Sequence, residues 1–322
     1  MVLLLTVSSS VSAQNLIDEV HITPAVAHES EPLASLNLPE SSAKMFKVSV
    51  ELVLVPVTIV DDKNHQIKGL SSDNFDLFEG KHQQNIRYFS SEDAPVSVGI
   101  VLDVSGSMKN KIDRAREAVL EFMKSANPQD EFFLVTFSDT PQDHSGFTQR
   151  MEDIQSQLVY ATPKGRTALL DALAVAMSKM KQAQYQRRAL LVISDGGDNH
   201  SRYTDREVKA AFKEADVAMY AIGIYDRAFS TSEEMMGPEL LKDLSELTGG
   251  REFTIDNPND LTPAAKTIGM ELRNQYLLGY QPAVSARDGK WHKIRIKFRR
   301  PKKVNLPPIR VYAKSGYYAP SN

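Results

Sequence analysis

The chain has no cysteine among its 322 residues, which excludes disulfides, thiolate nucleophiles, iron–sulfur clusters and cysteine-ligated zinc. It also lacks a strong charge bias. Against 41 Asp and Glu stand 38 Lys and Arg, and the net charge of −3 gives no global attraction to nucleic acid or an acidic membrane. No apolar run approaches the roughly 20 residues that a membrane-spanning helix requires. Neither a G-x-S-x-G nucleophile elbow nor a G-x-x-x-x-G-K phosphate loop is present. The seven histidines show no spacing that nominates a general base. What remains is a chain with 42% hydrophobic residues, long enough for two domains of ordinary size.

Met1 to Gln14 (MVLLLTVSSSVSAQ) has a short apolar core followed by Val11-Ser12-Ala13, small residues at the spacing read by a signal peptidase. A signal peptide over 1–13 is expected, with cleavage after Ala13 and export to periplasm, cell surface or medium. No Lys or Arg precedes the apolar run, which leaves room for a start upstream of Met1. Residues 14–43 are polar, dotted with Pro, Ser and Glu, and read as a flexible linker.

The chain is organised around Val98 to Met108, VGIVLDVSGSM. An apolar run that reads as a buried strand ends in Asp103, Ser105 and Ser107 on the following turn. Three oxygen-bearing side chains leaving a strand at i, i+2 and i+4 can converge on one point when a glycine lets the loop curl. The natural occupant is a hard cation, since Mg²⁺ and Mn²⁺ take carboxylate, hydroxyl and water oxygens. Asp-x-Ser-x-Ser alone is weak, arising by chance in roughly one chain in ten of this length. Two further groups strengthen it: Thr167 in GRTALLDAL, on a loop entering a helix, and Asp195 in ALLVISDGGDN, at the end of another apolar strand. In an open α/β sheet, the carboxyl ends of the strands are where ligands bind.

With those five positions, the stretch from about Pro95 to Arg273 resembles a von Willebrand factor type A domain with a complete metal-ion-dependent adhesion site. The resemblance implies a bound divalent ion, Mg²⁺ or Mn²⁺, and a protein partner that offers an Asp or Glu carboxylate to it. Beside the site, Arg166, Asp198, Asn199 and His200 either meet that partner or are solvated loop residues shaping the rim.

Periodicity supplies the rest of the architecture. Phe46 to Ser91 reads as four short strands, the first crossing Pro56. From Val96 onward apolar strands alternate with amphipathic helices, with helices expected over Asn110–Ala126, Met151–Val159, Thr167–Gln182, Thr204–Ala215, Gly237–Leu247 and Pro263–Asn274. The implied fold class is α/β: a doubly wound, mainly parallel sheet with helices on both faces. The family's single antiparallel edge strand is expected around Phe147. After Arg273 the chain returns to β, with Gln275–Gln281, Trp291–Phe298 and a final strand over Val311–Tyr318. Neither β flank alone can bury a convincing core. Residues 44–93 and 274–320 are therefore expected to form one sandwich-like domain, with the α/β domain of 94–273 inserted. The DAPVSVGIVLDVSGSM junction, the SELTGG turn and the YLLGYQP and SGYYAP endings resemble the bacterial family of VWFA-related domain proteins.

Function is expected to be binding, in adhesion or assembly. A structural envelope protein that assembles through its sandwich is the alternative, and a metal-dependent hydrolase is a further one, disfavoured by the shortage of carboxylates and of a base. The basic run KWHKIRIKFRRPKK alternates with apolar residues, as expected for the solvent face of a strand rather than a polyanion site.

Overall fold

The computed structural model describes residues 52–144, 146–195, 197–225, 237–282, 288–301, 307–319 and 321. The expected signal peptide and linker lie outside the described residues, as does the part of the first strand before Leu52.

Four strands come first: β1 (Val53–Asp61), β2 (Phe75–Glu79), β3 (His82–Gln84) and β4 (Ile86–Ser90). Their partners arrive from the other end of the chain, as β11 (Tyr276–Tyr280), β12 (Trp291–Phe298), β13 (Ile309–Ala313) and β14 (Gly316–Tyr318). Two four-stranded antiparallel sheets result, ordered β13-β1-β11-β4 and β14-β12-β2-β3. Each sheet needs strands from both flanks. Val55, Val57, Ile59, Leu77, Tyr276, Leu278 and Ile294 fill the space between them, at roughly 1.5–3 kcal/mol for each large apolar side chain withdrawn from water. Pro56 is tolerated because β13 pairs with β1 only from Val57 onward, so the proline falls where the strand lacks its second neighbour. Along β12, Lys293, Arg295 and Lys297 face solvent while Ile294 is buried, as the alternation requires. The expected last strand is two strands in different sheets. Between β13 and β14, the Ser315 amide donates to Leu247 O at 3.2 Å, which turns the chain from one sheet to the other.

Between the flanks runs the α/β part: β5 (Ser97–Asp103), α1 (Ile112–Ser125), β6 (Glu131–Phe137), β7 (Pro141–Asp143), α2 (Met151–Val159), α3 (Leu169–Met180), β8 (Arg188–Ser194), α4 (Asp205–Ala215), β9 (Ala218–Ile224), α5 (Gly237–Thr248), β10 (Glu252–Ile255) and α6 (Leu261–Arg273). Its sheet is ordered β10-β9-β8-β5-β6-β7, parallel throughout except for β7. Helices α1, α2 and α6 bury their apolar stripes against Val98, Ile100 and Leu102, while α3, α4 and α5 pack on Val101, Phe133 and Val135. Covered on both faces, β5 and β6 are buried along their whole lengths, hence their near-continuous apolar sequences. The fold class is as the periodicity implied.

The antiparallel edge strand is β7, earlier in the chain than Phe147, but the expectation holds in part, since the neighbouring Thr148 forms an antiparallel bridge with Phe132 of β6. The Phe147 ring packs edge-on against Phe133, with centroids 5.0 Å apart. From β5 the chain winds outward to β6 on one side, and later returns to place β8 on the other side of β5. The carboxyl ends of β5 and β8 therefore flank the topological switch point, where an open α/β sheet leaves a crevice.

Candidate functional site

Asp103 ends β5 and is completely buried. Its Oδ1 accepts from the Ser105 amide at 2.8 Å, which curls the chain immediately after the strand. Its Oδ2 accepts from the Ser194 hydroxyl at 2.6 Å, across from the end of β8. The curl brings the Ser105 and Ser107 hydroxyls within 3.0 Å of each other, Ser105 buried and Ser107 exposed. Burial, and then the neighbouring Asp195 carboxylate, push the Asp103 carboxyl up to about 7, against the lowering effect of its serine partners. Asp195 directly follows β8 and is itself almost inaccessible. Its Oδ2 accepts a hydrogen bond from Lys111 Nζ at 3.0 Å.

Thr167 is carried to the same edge by backbone. The Lys164 amide donates to Val104 O at 2.9 Å, Gly106 N to Gly165 O at 3.0 Å, and Ala168 N to Ser138 O at 2.8 Å. This loop is thereby laced between the ends of β5 and β6. Gly165 adopts φ +75°, a left-handed conformation that favours glycine, with the exposed Asp139 carboxylate packed beside its Cα. Thr167's own amide donates to Asn199 Oδ1 at 3.0 Å, and its carbonyl accepts from the Asn199 and His200 amides at 3.0 and 3.1 Å. These bonds hold Thr167 outside α3, which begins at Leu169 and not at the expected Thr167.

The four expected rim residues divide. Asp198 accepts from the Leu170 amide at 3.2 Å and from Ser201 Oγ at 2.5 Å, satisfying a free donor in the first turn of α3. Asn199 clamps the Thr167 loop. Both therefore hold the site's framework. The His200 side chain is half-buried beside it. Arg166 is exposed, with its side chain 3.8 Å from Asp139 Oδ1 and its amide donating to the same oxygen at 2.9 Å. Three participants escape sequence reasoning: Lys111, Ser194 and Asp139. Ser194 had a weak sign, a hydroxyl closing an otherwise apolar strand. The other two pair with residues far along the chain and carry none.

Among the described residues, no group of three or more His, Asp or Glu side chains is arranged to hold a metal. A cation here would depend on hydroxyls as well as carboxylates. Asp103, Ser105, Ser107, Thr167 and Asp195 offer that mixture, with oxygen donors only and two carboxylates close enough to disturb each other. The donor set fits a hard divalent ion.

Residues 98–197 match a family model described as von Willebrand factor type A domain. An uncharacterized protein of Borreliella burgdorferi is 24% identical over 193 residues, 51% of this chain and 55% of that one. Human inter-alpha-trypsin inhibitor heavy chain H4 is 24% identical over 208 residues, 60% of this chain and 22% of its own length. The chain thus spans about half of the first relative and about a fifth of the second. Among solved structures, von Willebrand factor type A from Catenulispora acidiphila aligns with a TM-score of 0.49 at 12% identity, covering 84% of this chain and 75% of that one.

Proposed function

We propose that this chain, which carries a von Willebrand factor type A domain, is a binding module that recognises a partner protein's carboxylate through a divalent cation. Asp103, Ser105, Ser107, Thr167 and Asp195 would hold the ion, Mg²⁺ or Mn²⁺. The carrying observation is the placement of two buried carboxylates, Asp103 and Asp195, at the adjoining ends of β5 and β8, which the Ser194–Asp103 hydrogen bond of 2.6 Å ties together, with the Ser105 and Ser107 hydroxyls 3.0 Å apart on the turn that follows β5. Two carboxylates withdrawn from water at a sheet switch point are costly unless a cation compensates them. Bound there, the cation supplies a Lewis-acidic position for an incoming Asp or Glu oxygen.

The chain's own groups do the remaining work. The Ser105 amide and Ser194 hydroxyl orient the Asp103 carboxylate, and Asn199 fixes the Thr167 loop. Exposed Arg166, Lys164 and Lys109 around the opening favour an acidic partner. The site has hydroxyl and carboxylate donors with no base of evident function beside them, which favours recognition over hydrolysis. Export, and a place in adhesion or assembly, belong to the same reading and rest on Val11-Ser12-Ala13. Among the described residues no helix is long and apolar enough to cross a membrane.

The test is Mg²⁺ titration by calorimetry into the native protein and Asp103→Asn, followed by pull-down from envelope and medium fractions. Beads carrying the native protein are run in Mg²⁺ and in EDTA, and beads carrying Asp103→Asn in Mg²⁺. The expected result is a metal-binding heat in the native protein alone, and a partner retained only by it in Mg²⁺. A partner held equally under all three conditions would overturn the metal bridge and turn attention to the sandwich.

A further inference from the structure

The lysine at the mouth of α1 is placed by the backbone rather than by chance. The Lys111 amide donates to Met108 O at 2.8 Å, and its carbonyl accepts from Ala115 N at 3.0 Å, so its Cα is fixed at the start of the helix. From there its ammonium reaches Asp195 Oδ2, with the lysine side chain 16% exposed and the aspartate 5%. An exposed ion pair of this kind would count for little, but here solvent is largely excluded from both partners.

Charge accounting gives the consequence. Asp103 and Asp195 together carry two negative charges, which a divalent ion balances. Lys111 adds a third positive charge in direct contact with one of those same carboxylates. We propose that Lys111 is a fixed counter-charge of the cation site: it weakens the hold on the divalent ion and leaves the loaded site one charge positive, so that an anionic ligand is required to complete it. This rests on the metal-bridge reading above and deepens it, by assigning the preference for carboxylate over neutral oxygen to one residue. A cation made wholly neutral by its protein ligands has less reason to recruit a carboxylate. With Lys111 present, a carboxylate restores neutrality inside a shielded crevice, where Coulomb terms are several times larger than in water.

The experiment measures Mg²⁺ affinity of the full chain by calorimetry for the native protein, Lys111→Arg, Lys111→Gln and Lys111→Met. The neutral variants are expected to bind Mg²⁺ on the order of tenfold more tightly, and the arginine variant to stay within about threefold of native. Gln retains a donor for Asp195, so the comparison survives if the Met variant fails to fold. A second arm titrates acetate into the Mn²⁺-loaded proteins and follows water-proton relaxation as acetate displaces bound water. Acetate is expected to bind more weakly to the neutral variants. Mg²⁺ affinity unchanged or reduced in Lys111→Gln would overturn the counter-charge role while leaving the metal-bridge reading intact. Tighter Mg²⁺ with unchanged acetate would overturn the ligand preference. No Mg²⁺ binding to native or Gln protein would overturn both readings together.

Discussion

The two edges of the parallel sheet both bury charge, and they treat it in opposite ways. At the amino edge Arg251, just before β10, is matched from every side. Its guanidinium pairs with Glu271 of α6, donates to Asn64 Oδ1 at 2.8 Å, and lies over the rings of Phe253 and Tyr312 at 4.7 and 4.8 Å. Asn64 and Tyr312 come from the β flanks, so this cluster also ties the α/β part to the sandwich. At the carboxyl edge Asp195 meets Lys111, while Asp103 accepts hydrogen bonds from the Ser105 amide and the Ser194 hydroxyl. One end pairs a buried carboxylate with a buried guanidinium, although Glu271 Oε2 has no hydrogen-bond partner among the described residues. At the other, burial and Asp195 push the Asp103 carboxyl up to about 7, and in the proposed reading a divalent cation compensates it. Under the proposed reading, the buried carboxylate with a guanidinium beside it holds structure, and the one without such a partner is kept for a ligand.

The sharpest way to break this contrast is Arg251→Met. Removing one member of a buried pair should cost about 3–5 kcal/mol in urea denaturation, because Glu271 is left without its partner. Burial already pushes Glu271 up to about 7 despite the opposing pull of Arg251. Protonating it relieves part of the cost, so the loss should be larger at pH 8 than at pH 5. Adding Glu271→Met should recover much of the stability, and Mg²⁺ affinity should not change in either variant. A loss below about 1 kcal/mol would mean that the amino edge is no more structural than an exposed ion pair.

A smaller effect is expected at the carboxyl edge from Asn199→Ala. The Thr167 amide would lose its acceptor, at about 1 kcal/mol, and the loop would be less well held. Mg²⁺ affinity should weaken by about three- to tenfold, with the denaturation midpoint little changed. If stability fell sharply while metal binding persisted, Asn199 would belong with Arg251 on the structural side of the comparison.

Asn199 also marks where sequence reading stops. Apolar runs and helical stripes are local patterns, so the change from period 2 to the alternation of strand and helix was readable, and with it the fold class. Asp103, Ser105 and Ser107 were readable because a single turn spaces them. Thr167 and Asp195 could be nominated because each adjoins a recognisable apolar segment. Lys111 could not be, since its partner lies 84 residues away and nothing at helix starts singles out a lysine. At the rim, Asp198 and Asn199 read as solvated loop residues, and their hydrogen bonds to the Leu170 and Thr167 amides show only once the loops are folded beside each other. At Phe147 and at Val311–Tyr318 the local β pattern was real but ambiguous. In the first case the edge strand lies at Pro141–Asp143 while Thr148 adds one antiparallel bridge to Phe132, and in the second the chain passes to the other sheet beside the Ser315–Leu247 hydrogen bond.

The mildest prediction concerns a third charged cluster, within the sandwich, that is matched like Arg251 but can titrate. His292 on β12 bridges two carboxylates, with Nδ1 2.5 Å from Glu79 Oε1 and Nε2 3.0 Å from Asp288 Oδ1. The hydrogen bond to Asp288, and after it Glu79, raise the imidazole above its usual value of 6.5, with partial burial opposing them. A group whose pKa is higher in the folded state contributes stability that is complete below its unfolded pKa and disappears as pH rises through the folded one. The clasp should therefore be fully effective near pH 6 and fade above pH 6.5, and the urea midpoint of the native protein should fall between pH 6 and 8.5. His292→Gln should remove this component of the slope while lowering the midpoint mainly on the acid side. Arg251 itself stays charged across that range, but Glu271 beside it, pushed up to about 7, adds a fall of its own as pH rises toward that value, so the component assigned to His292 is the difference between native and His292→Gln curves. If native protein and His292→Gln gave parallel midpoint curves, His292 would hold its carboxylates without exchanging a proton.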